Sequence, residues 1–560
     1  MDNVVNSSSI QKSKIHPDKI LLWVLSLFVI IPLLIFLVFP IVIVLLKSFQ
    51  IGDGKWGLEN YTTTLSESHF WTVVGNSLSV AFTVTLISVS LAFIFAYAIQ
   101  RSQMRGKRYF SLLAMLPIFA PSLVQALGLI FLLGRNGIVN RWLDLEIEIY
   151  GFWGIVIADV IYAFPQAFLL LSAALAVADS RPYEAARMLG ASKKQIFFDV
   201  TLPSIKFGLI SSIFLVFTIT ITDFGNAMVI GGDYSVLATE IYNQVSGQMN
   251  FNLGSVIAII LLIPVFVAFA IERFADRKQH AIISDNTNPL VAKKNTVFDR
   301  TMFLFSSLLC GIILLVVGIV VYASFVKLWP YNMSLTLKNY NFDSQGGFDP
   351  LITSVVVSLI AAFIGVVMVI GSAYVVNKSK SFISDLLNFF SILPAAIPGM
   401  VLGLAYIFFF NETANPLNFI YGTIFILAIN NVYHYYAQGF LTATTSLKQI
   451  SATFDETSAC LGAGLFTTIK KITLPIILPA ILSIGVFFFM RSMVTLSAVI
   501  FLVSPSVNLA AVSVMLLDDA GNTTQAAAYS TLIIVIVLSA LIFMNLVLKL
   551  FKVKTRSLIS

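Results

Sequence analysis

Twelve apolar runs, each about twenty residues or longer, constrain this chain more than any other feature of its sequence. A helix needs about 20 predominantly apolar residues to cross the hydrocarbon core of a bilayer. Only 11% of the 560 residues are charged, whereas a soluble domain has about a quarter of its residues charged. The predicted spans are 21–46, 77–99, 112–133, 152–176, 207–230, 253–271, 302–324, 354–376, 389–410, 419–441, 479–503 and 528–551.

Long apolar runs of this kind form helices, because inside lipid every backbone polar group has to be hydrogen-bonded within the protein. The alternating ten-residue segments of a membrane β-barrel do not occur in the sequence. The first run is longer than the apolar part of a signal peptide, and no small-residue cleavage site follows it. The sequence therefore predicts an all-α polytopic membrane protein with twelve transmembrane helices.

Basic residues concentrate in every second connection between the runs. Cytoplasmic loops of membrane proteins carry an excess of Lys and Arg, and with twelve spans these connections share one side with both chain ends. The distribution predicts cytoplasmic N- and C-termini, and it accounts for the formal charge of +7 without nucleic-acid binding. The basic residues on this side are Arg101, Arg105, Lys107, Arg108, Arg273, Arg277, Lys278, Lys293, Lys294, Lys378, Lys380, Lys549, Lys552, Lys554 and Arg556.

The two halves of the chain repeat each other. LENY at 58–61 returns as LKNY at 337–340, and IYG at 149–151 returns at 420–422. The matches keep the same order in both halves, and six spans per half leave both halves in the same orientation. The pattern predicts two parallel six-helix repeats related by an axis along the membrane normal.

The longest shared segment lies between the fourth and fifth spans of each half, on the cytoplasmic side. EAARMLGASKKQIFFDVTLP begins at residue 184 and ETSACLGAGLFTTIKKITLP at residue 456, with seven of twenty positions identical. Each copy predicts a short helix broken by a glycine, then an amphipathic piece running to a proline that starts the next span. We call residues 179–203 the first elbow and residues 451–475 the second elbow. One copy alone is compatible with an ordinary interfacial connector helix, whereas two copies in register indicate two equivalent docking sites.

The elbows resemble the EAA loop of permease subunits in binding-protein-dependent ABC importers, although the second elbow has Thr-Ser in place of Ala-Ala. In that family the loop forms a coupling helix that sits in a cleft on the ATP-binding subunit, and each permease domain engages one ATPase. The resemblance implies the type I ABC importer permease fold, two copies of an ABC ATPase subunit, an external solute-binding protein and the bacterial plasma (inner) membrane. The coupling residues that it implies are Glu184, Ala185, Ala186, Gly190, Pro203, Glu456, Gly462 and Pro475.

The resemblance and the repeat together imply a division of the chain into two fused permease domains. The expected parts are 1–71, the cytoplasmic N-terminus with the first transmembrane helix and an external loop; 72–273, the first permease domain core; 274–301, a cytoplasmic linker; 302–349, the seventh transmembrane helix and an external loop; 350–549, the second permease domain core; and 550–560, a cytoplasmic tail.

The fused, two-domain form is similar to that of 2-aminoethylphosphonate permeases and ferric-iron permeases. The segments TDFGNAMVIGGDYSVLATEIYNQVSGQMNF at 222–251 and SAVIFLVSPSVNLAAVSVMLLDDAGNT at 497–523 resemble the phosphonate group, and the iron branch shares much of the second. The expected solute is therefore 2-aminoethylphosphonate or a related phosphonate, with ferric iron as the alternative.

Chemistry of its own is not expected of this chain. The sequence has no G-x-x-x-x-G-K-[ST] loop to bind nucleotide phosphates, so a separate ATPase subunit would use the ATP and magnesium. No nucleophile–base constellation stands out. The two cysteines and four scattered histidines indicate neither a disulfide framework nor a metal site. The sequence predicts a transport subunit that is not an enzyme and binds no cofactor.

Charged side chains inside the predicted spans are the candidates for a substrate pathway, because charge in a bilayer is costly and usually faces the bundle interior. Asp159 lies in the fourth span, Asp223 toward the outer end of the fifth and Arg491 in the eleventh. A guanidinium can hold an anion through paired hydrogen bonds, so Arg491 is the candidate for contact with an anionic solute. The alternatives are a structural ion pair or a snorkelling side chain for Arg491 and Asp223, and a helix-packing hydrogen bond for Asp159.

A twelve-helix secondary transporter with parallel halves is the rival class. Such a carrier needs no duplicated elbow, and the loop at 100–110 has the bases but not the acid of the major-facilitator motif. A membrane-embedded enzyme is the third class, and the sequence offers no cluster of His, Cys or carboxylates for it. The duplicated elbow favours the ABC permease.

Overall fold

The structure is a computed structural model that describes residues 17–51, 55–282, 290, 292, 294–342, 347–379 and 381–550. The chain before residue 17, the centre of the predicted linker and the predicted tail after residue 550 lie outside the described residues.

Helices make up the first half almost entirely, with one short hairpin of strands β1 and β2 after the first span. The elements are α1 Pro17–Leu33, a π-helical turn Leu34–Val38, α2 Phe39–Ser48, β1 Gln50–Ile51, β2 Lys55–Trp56, α3 Glu59–Ser66, α4 Ser68–Arg101, α5 Lys107–Ala114, α6 Leu123–Leu133, α7 Ile138–Leu143, α8 Phe152–Ala176, α9 Ser180–Met188, α10 Lys193–Gln195, α11 Leu202–Ile221, α12 Gly225–Ile230, α13 Leu237–Tyr242 and α14 Phe251–Ile282.

The second half repeats this order, again with a hairpin after its first span. The elements are α15 Thr296–Ser324, β3 Val326–Leu328, β4 Asn332–Leu335, α16 Asp349–Lys378, α17 Phe382–Ile392, α18 Gly399–Phe410, α19 Ile424–His434, α20 Tyr436–Lys448, α21 Ala452–Cys460, α22 Leu465–Thr468, α23 Leu474–Val494, α24 Ala510–Asp519 and α25 Thr523–Leu550.

Ten helical segments of the described chain are long and apolar enough to cross a membrane. The predicted ninth span is a bent pair, in which α17 and α18 form an angle of 113°. The predicted tenth span is divided, because α19 ends at His434 and α20 begins at Tyr436. Tyr435, at the break, lines an internal cavity, and such a place tolerates non-helical backbone at membrane depth. Among the described residues, ten of the twelve predicted spans therefore correspond to segments that pass as single spans, one to a bent segment and one to a divided segment.

Prolines interrupt the third and ninth spans at matching positions. Pro117 lies in a 3₁₀ turn, Leu116–Phe119, between α5 and α6. Pro394 lies in a second 3₁₀ turn, Leu393–Ala396, between α17 and α18. Proline lacks a backbone N–H and clashes with the preceding turn, so an α-helix does not continue through it undisturbed.

The short sequence repeat after the first span of each half forms the same hydrogen bonds twice. Asn60 donates to the backbone oxygens of Ser48 (3.2 Å) and Gln50 (2.9 Å). Asn339 donates in the same way to the backbone oxygens of Ser324 (3.0 Å) and Val326 (2.7 Å). In both halves this asparagine side chain closes the loop between the first span and the next helix. The repeat seen in the sequence is therefore a structural repeat.

The first span of each half packs across onto the other half. The helices α1 and α2 contact α16 and α18 of the second half, whereas α15 contacts α5 and α6 of the first half. The hydroxyl of Tyr406 in α18 donates to the backbone oxygen of Phe36 (2.7 Å), inside the π-helical turn between α1 and α2. This exchange of first spans joins the two repeats into one bundle.

Candidate functional site

The two elbow helices are capped at their starts by their own side chains. The Asp179 carboxylate accepts a hydrogen bond from the backbone N–H of Arg181 at 3.1 Å. The Arg181 guanidinium pairs with the same carboxylate, and this contact raises the pKa of Arg181 above its ordinary value. In the second elbow the Ser451 hydroxyl accepts from the backbone N–H of Thr453 at 3.4 Å. Each cap satisfies an N–H group that has no partner inside the helix.

Both elbow helices end at the predicted glycine in a left-handed conformation. The backbone φ is +78° at Gly190 and +71° at Gly462. The N–H of each glycine donates to the carbonyl three residues earlier, and the next N–H donates five residues back, all at 2.9 to 3.0 Å. This pair of bonds is the Schellman motif. No atom lies within 4 Å of a Cβ built on either glycine, so the need for glycine comes from the backbone angles alone.

The prolines of the elbows lie inside continuous helices, which corrects the prediction that they start the next spans. The fifth span runs without a break from Lys193 to Ile221, and Pro203 falls within it. A π-helical turn, Ile196–Thr201, immediately precedes that proline. The matching turn before Pro475 covers Ile469–Thr473. Because a wider turn accommodates the missing N–H of proline, the helix passes through the position.

Each elbow presents an exposed surface around its glycine. Met188 and Leu189 are 89% and 87% exposed, and Leu461 in the second elbow is 80% exposed. Glu184 and Glu456 are exposed as well. Large apolar side chains at this exposure are costly unless another surface covers them. Each elbow thus leaves at least one large apolar side chain uncovered beside its glycine turn.

A cation at the end of the second span of each half contacts the adjoining elbow helix. The Arg101 guanidinium lies over the Tyr183 ring of α9, 5.7 Å from its centroid. Arg101 also donates to the backbone oxygen of Leu175 at 2.8 Å. In the second half Lys378 forms a salt bridge with Asp455 of α21. The two elbows are thus held to α4 and α16 by related contacts of different chemistry.

A cavity of about 400 Å³, which we call the central cavity, lies between the two halves. It is bounded by α8, α11 and α14 of the first half and by α17, α18, α19, α20 and α23 of the second. At one end the cavity is lined by Thr222 and Asp223, which follow α11, and at the other end by Glu272 and Arg273, which lie in the last third of α14. Its polar and proline lining includes Tyr162, Gln166, Thr218, Thr222, Asp223, Glu272, Arg273, Pro394, Pro398, His434, Tyr435, Gln438, Arg491 and Ser497.

Arg491 lines the central cavity and lies against aromatic rings. Its guanidinium carbon is 5.7 Å from the centroid of the Tyr435 ring and 6.0 Å from that of Phe487. Asp223 lines the same cavity, but within the described part of the chain no ion pair joins Asp223 to Arg491. The described residues therefore do not show the structural ion pair that was the alternative for Arg491 and Asp223.

Asp159 and Asp223 are brought together at the side of the central cavity by one asparagine. Asn226 donates its side-chain amide to Asp159 (2.8 Å), and its backbone N–H donates to Asp223 (2.9 Å). Asp159 is 2% exposed and lies outside the lining of the central cavity. The contact of Asp159 is thus the helix-packing hydrogen bond considered as its alternative. Of the three candidate charges, Asp223 and Arg491 face the cavity.

The sequence matches the family model described as the binding-protein-dependent transport system inner membrane component twice, over residues 88–280 and 366–557. The chain belongs to this family. It is the permease subunit of an ABC importer, with two permease domains fused in one multi-pass polypeptide of the inner membrane. The resemblance noted in the elbows is confirmed, and the rival class of secondary transporters is set aside.

Two similar proteins align with this permease over most of its length and most of their own length. The ferric transport system permease protein FbpB of Actinobacillus pleuropneumoniae is 29% identical and covers 94% of this chain and 78% of that protein. A putative ferric transport system permease protein FbpB 1 of Haemophilus influenzae is 30% identical, with coverages of 85% and 77%. A crystal structure of a bacterial ABC transporter for alginate import aligns with a TM-score of 0.40 at 18% identity, over 48% of this chain and 97% of that chain.

Several residues of the permease cavity were not singled out from the sequence. Gln166 and Gln438 both line it, and they stand 272 residues apart, which is also the offset between the two elbows. Tyr162 and His434 form a second lining pair at the same offset. Paired polar residues at the repeat offset were the signal that could have identified them. The described residues contain no cluster of three or more metal-binding side chains.

Proposed function

We propose that this permease imports ferric iron that an external binding protein delivers. The observation that carries the proposal is the similarity to two ferric transport permeases over 94% and 85% of the chain. Both fused domains are included in that similarity, so the match extends across the cavity where cargo would pass. The relatives favour ferric iron over the phosphonate that the segments at 222–251 and 497–523 suggest.

The Arg491 guanidinium, which lines the central cavity, suits a ferric ion that travels with anionic ligands attached. A bare ferric ion carries three positive charges, and the Arg491 guanidinium would repel it. Bound anions would reverse this relation, because a guanidinium forms paired, charge-assisted hydrogen bonds with carboxylate or phosphate groups. Of the other two proposed pathway residues, Asp159 and Asp223, only Asp223 lines this cavity in the described structure. A phosphonate cargo is the second candidate, because the same Arg491 contact would serve it.

Two ATPase subunits would drive transport, one docked on each elbow. The support is geometric, since each elbow has the same glycine turn and an exposed apolar surface. In this proposal the elbows and both termini are cytoplasmic, and the binding protein docks on the opposite face. ATP and magnesium would be bound by the ATPase subunits.

The cargo can be tested with the complete transporter in proteoliposomes, together with its external solute-binding protein. We expect uptake of radioactive iron that depends on ATP, and little uptake of labelled 2-aminoethylphosphonate. Uptake of the phosphonate with no uptake of iron would overturn the ferric assignment in favour of the second candidate.

Substitution of Arg491 tests the anion contact. Hydrogen bonds to charged groups contribute about 1.5–3 kcal/mol, so Arg491→Gln should lower uptake about tenfold or more. Arg491→Lys keeps the charge but loses the paired donors, and it should also be impaired. Membrane levels and basal ATPase activity should stay normal in both variants. Wild-type uptake by a well-folded Arg491→Gln protein would end the idea.

A further inference from the structure

The helix that leaves each elbow begins with the same backbone conformation but with a different residue. Ser192 has φ −67° and ψ 159°, and Gly464, at the repeat offset of 272, has φ −69° and ψ 161°. The Ser192 hydroxyl accepts from the backbone N–H of Gln195 (3.3 Å), and the Gln195 side chain accepts from the N–H of Ser192 (2.8 Å). This capping box satisfies two N–H groups. Gly464 has no side chain with which to form it.

A carboxylate from the opposite end of the sequence lies at the start of this helix in the second elbow. Asp18, in the first turn of α1, accepts a hydrogen bond from the backbone N–H of Leu465 at 3.0 Å. A Cβ built on Gly464 would stand 3.7 Å from the same oxygen. The interacting residues are 447 positions apart in the chain. A negative charge at a helix N-terminus is favourable because of the helix dipole.

The counterpart of Asp18 in the second half makes a different contact. Asp299 lies in the first turn of α15 and is followed by a base, as Asp18 is. Asp299 accepts from the backbone N–H of Gln103 (2.7 Å), in the loop after α4. Of these two carboxylates, it is therefore Asp18 that contacts an elbow, at the start of α22 in the second elbow.

We propose that Asp18 is a positioning residue for coupling, which caps the second elbow from α1 and fixes the direction in which the elbow leaves the membrane. The proposal rests on the proposed coupling function of the elbows. Because α1 packs on α16 and α17, a movement of these helices would reach the second elbow through Asp18. The first elbow has its own serine cap for the same purpose.

Hydrogen exchange on the complete transporter in nanodiscs tests the cap directly. In Asp18→Ala the amides at the start of α22 should exchange about fivefold faster, the usual effect of losing an N-cap side chain. Asp18→Asn retains an acceptor oxygen and should stay close to wild type. The matched control is Asp299→Ala, which should leave exchange in the second elbow unchanged. Unchanged exchange in a folded Asp18→Ala protein would overturn the cap.

Transport-stimulated ATPase activity then tests the role in coupling. Asp18→Ala should lower it severalfold, and Gly464→Ser in the same chain should restore part of the loss by supplying a local cap. Faster exchange together with undiminished stimulation would overturn the positioning role. The exchange measurement does not depend on ATP hydrolysis, so a failed cap is distinguishable from a failed assignment of the elbows as coupling sites.

Discussion

The two elbows share one backbone path, yet different parts of the chain hold them. The first elbow caps its second helix with Ser192, two residues after its glycine turn. The second elbow has Gly464 at that place and receives the Asp18 carboxylate from α1. The second elbow is also tied to α16 by the salt bridge between Lys378 and Asp455.

The two elbows keep the same backbone path although their sequences differ beside the shared glycine. The first elbow keeps the Glu-Ala-Ala pattern, whereas the second has Glu-Thr-Ser. One of the changed residues, Ser458, forms a hydrogen bond with Thr468 across the second elbow. The geometry around the glycine is nevertheless the same in both copies. The glycine turn is thus the part of the motif for which this chain has no substitute.

The largest expected effect comes from the glycine turns. A left-handed conformation costs an L-residue roughly 1–2 kcal/mol, so Gly190→Val should lower transport-stimulated ATPase activity and uptake about tenfold. Gly462→Val should have a smaller effect, because the second elbow is held by additional contacts. Membrane levels should remain near normal, since no atom lies within 4 Å of either site.

Gly311→Val in α15 is the matched control, because that glycine also has open space around it but lies in an ordinary helix. Loss of the Gly190→Val protein from the membrane would show that the elbow is needed for folding. An equal loss of activity in both valine variants would remove the distinction between the elbows.

The cation contacts should give a smaller difference between the elbows. Lys378 and Asp455 are both partly exposed, and such pairs contribute up to about 1 kcal/mol, so Lys378→Met should reduce coupling no more than about fivefold. Arg101→Met should reduce it further, because it also removes the hydrogen bond to Leu175. ATPase stimulation measures both effects, with the exposed Lys448→Met as control. A larger effect for Lys378 than for Arg101 would contradict this order.

The smallest effect is expected from giving the first elbow the residue of the second. Glycine is tolerated at an N-cap at a cost of a few tenths of a kcal/mol, so Ser192→Gly should change coupling less than about twofold. Ser192→Ala should do more damage, since alanine is a poor N-cap. Hydrogen exchange at the start of α10 would report both changes. Equal exchange in the glycine and alanine variants would mean that Ser192 is not acting as a cap.

Much of this architecture follows from local patterns in the sequence. The apolar runs predict the membrane helices, and the glycine at the same offset in both copies predicts the turns at Gly190 and Gly462. These features depend on residues close together in the chain, where helix period and backbone preference decide the outcome. The repeat adds that both halves are built alike, which the equivalent loops at Asn60 and Asn339 confirm.

Other features depend on residues that only the folded chain brings together. The Asp18 cap joins positions 447 residues apart, and no local pattern announces it. The division of the tenth span at Tyr435 reflects the central cavity, which exists only once both halves are packed. The alternative that Arg491 pairs with Asp223 could not be judged from the sequence either, because spacing along the chain does not give the distance between their side chains.

The exchange of first spans has a consequence for how the chain is made. The helix α1 is synthesised about 330 residues before α16, on which it packs, and at about 5–20 residues per second this interval lasts roughly 15–65 s. During that time Val29 and Leu33, fully buried in the finished protein, face lipid or the insertion machinery. Lipid tails are about as apolar as leucine, so the wait costs these side chains little. The Phe36 carbonyl cannot accept its hydrogen bond from the Tyr406 hydroxyl until α18 is inserted. The insertion of α18 therefore supplies the last of these contacts of the first span.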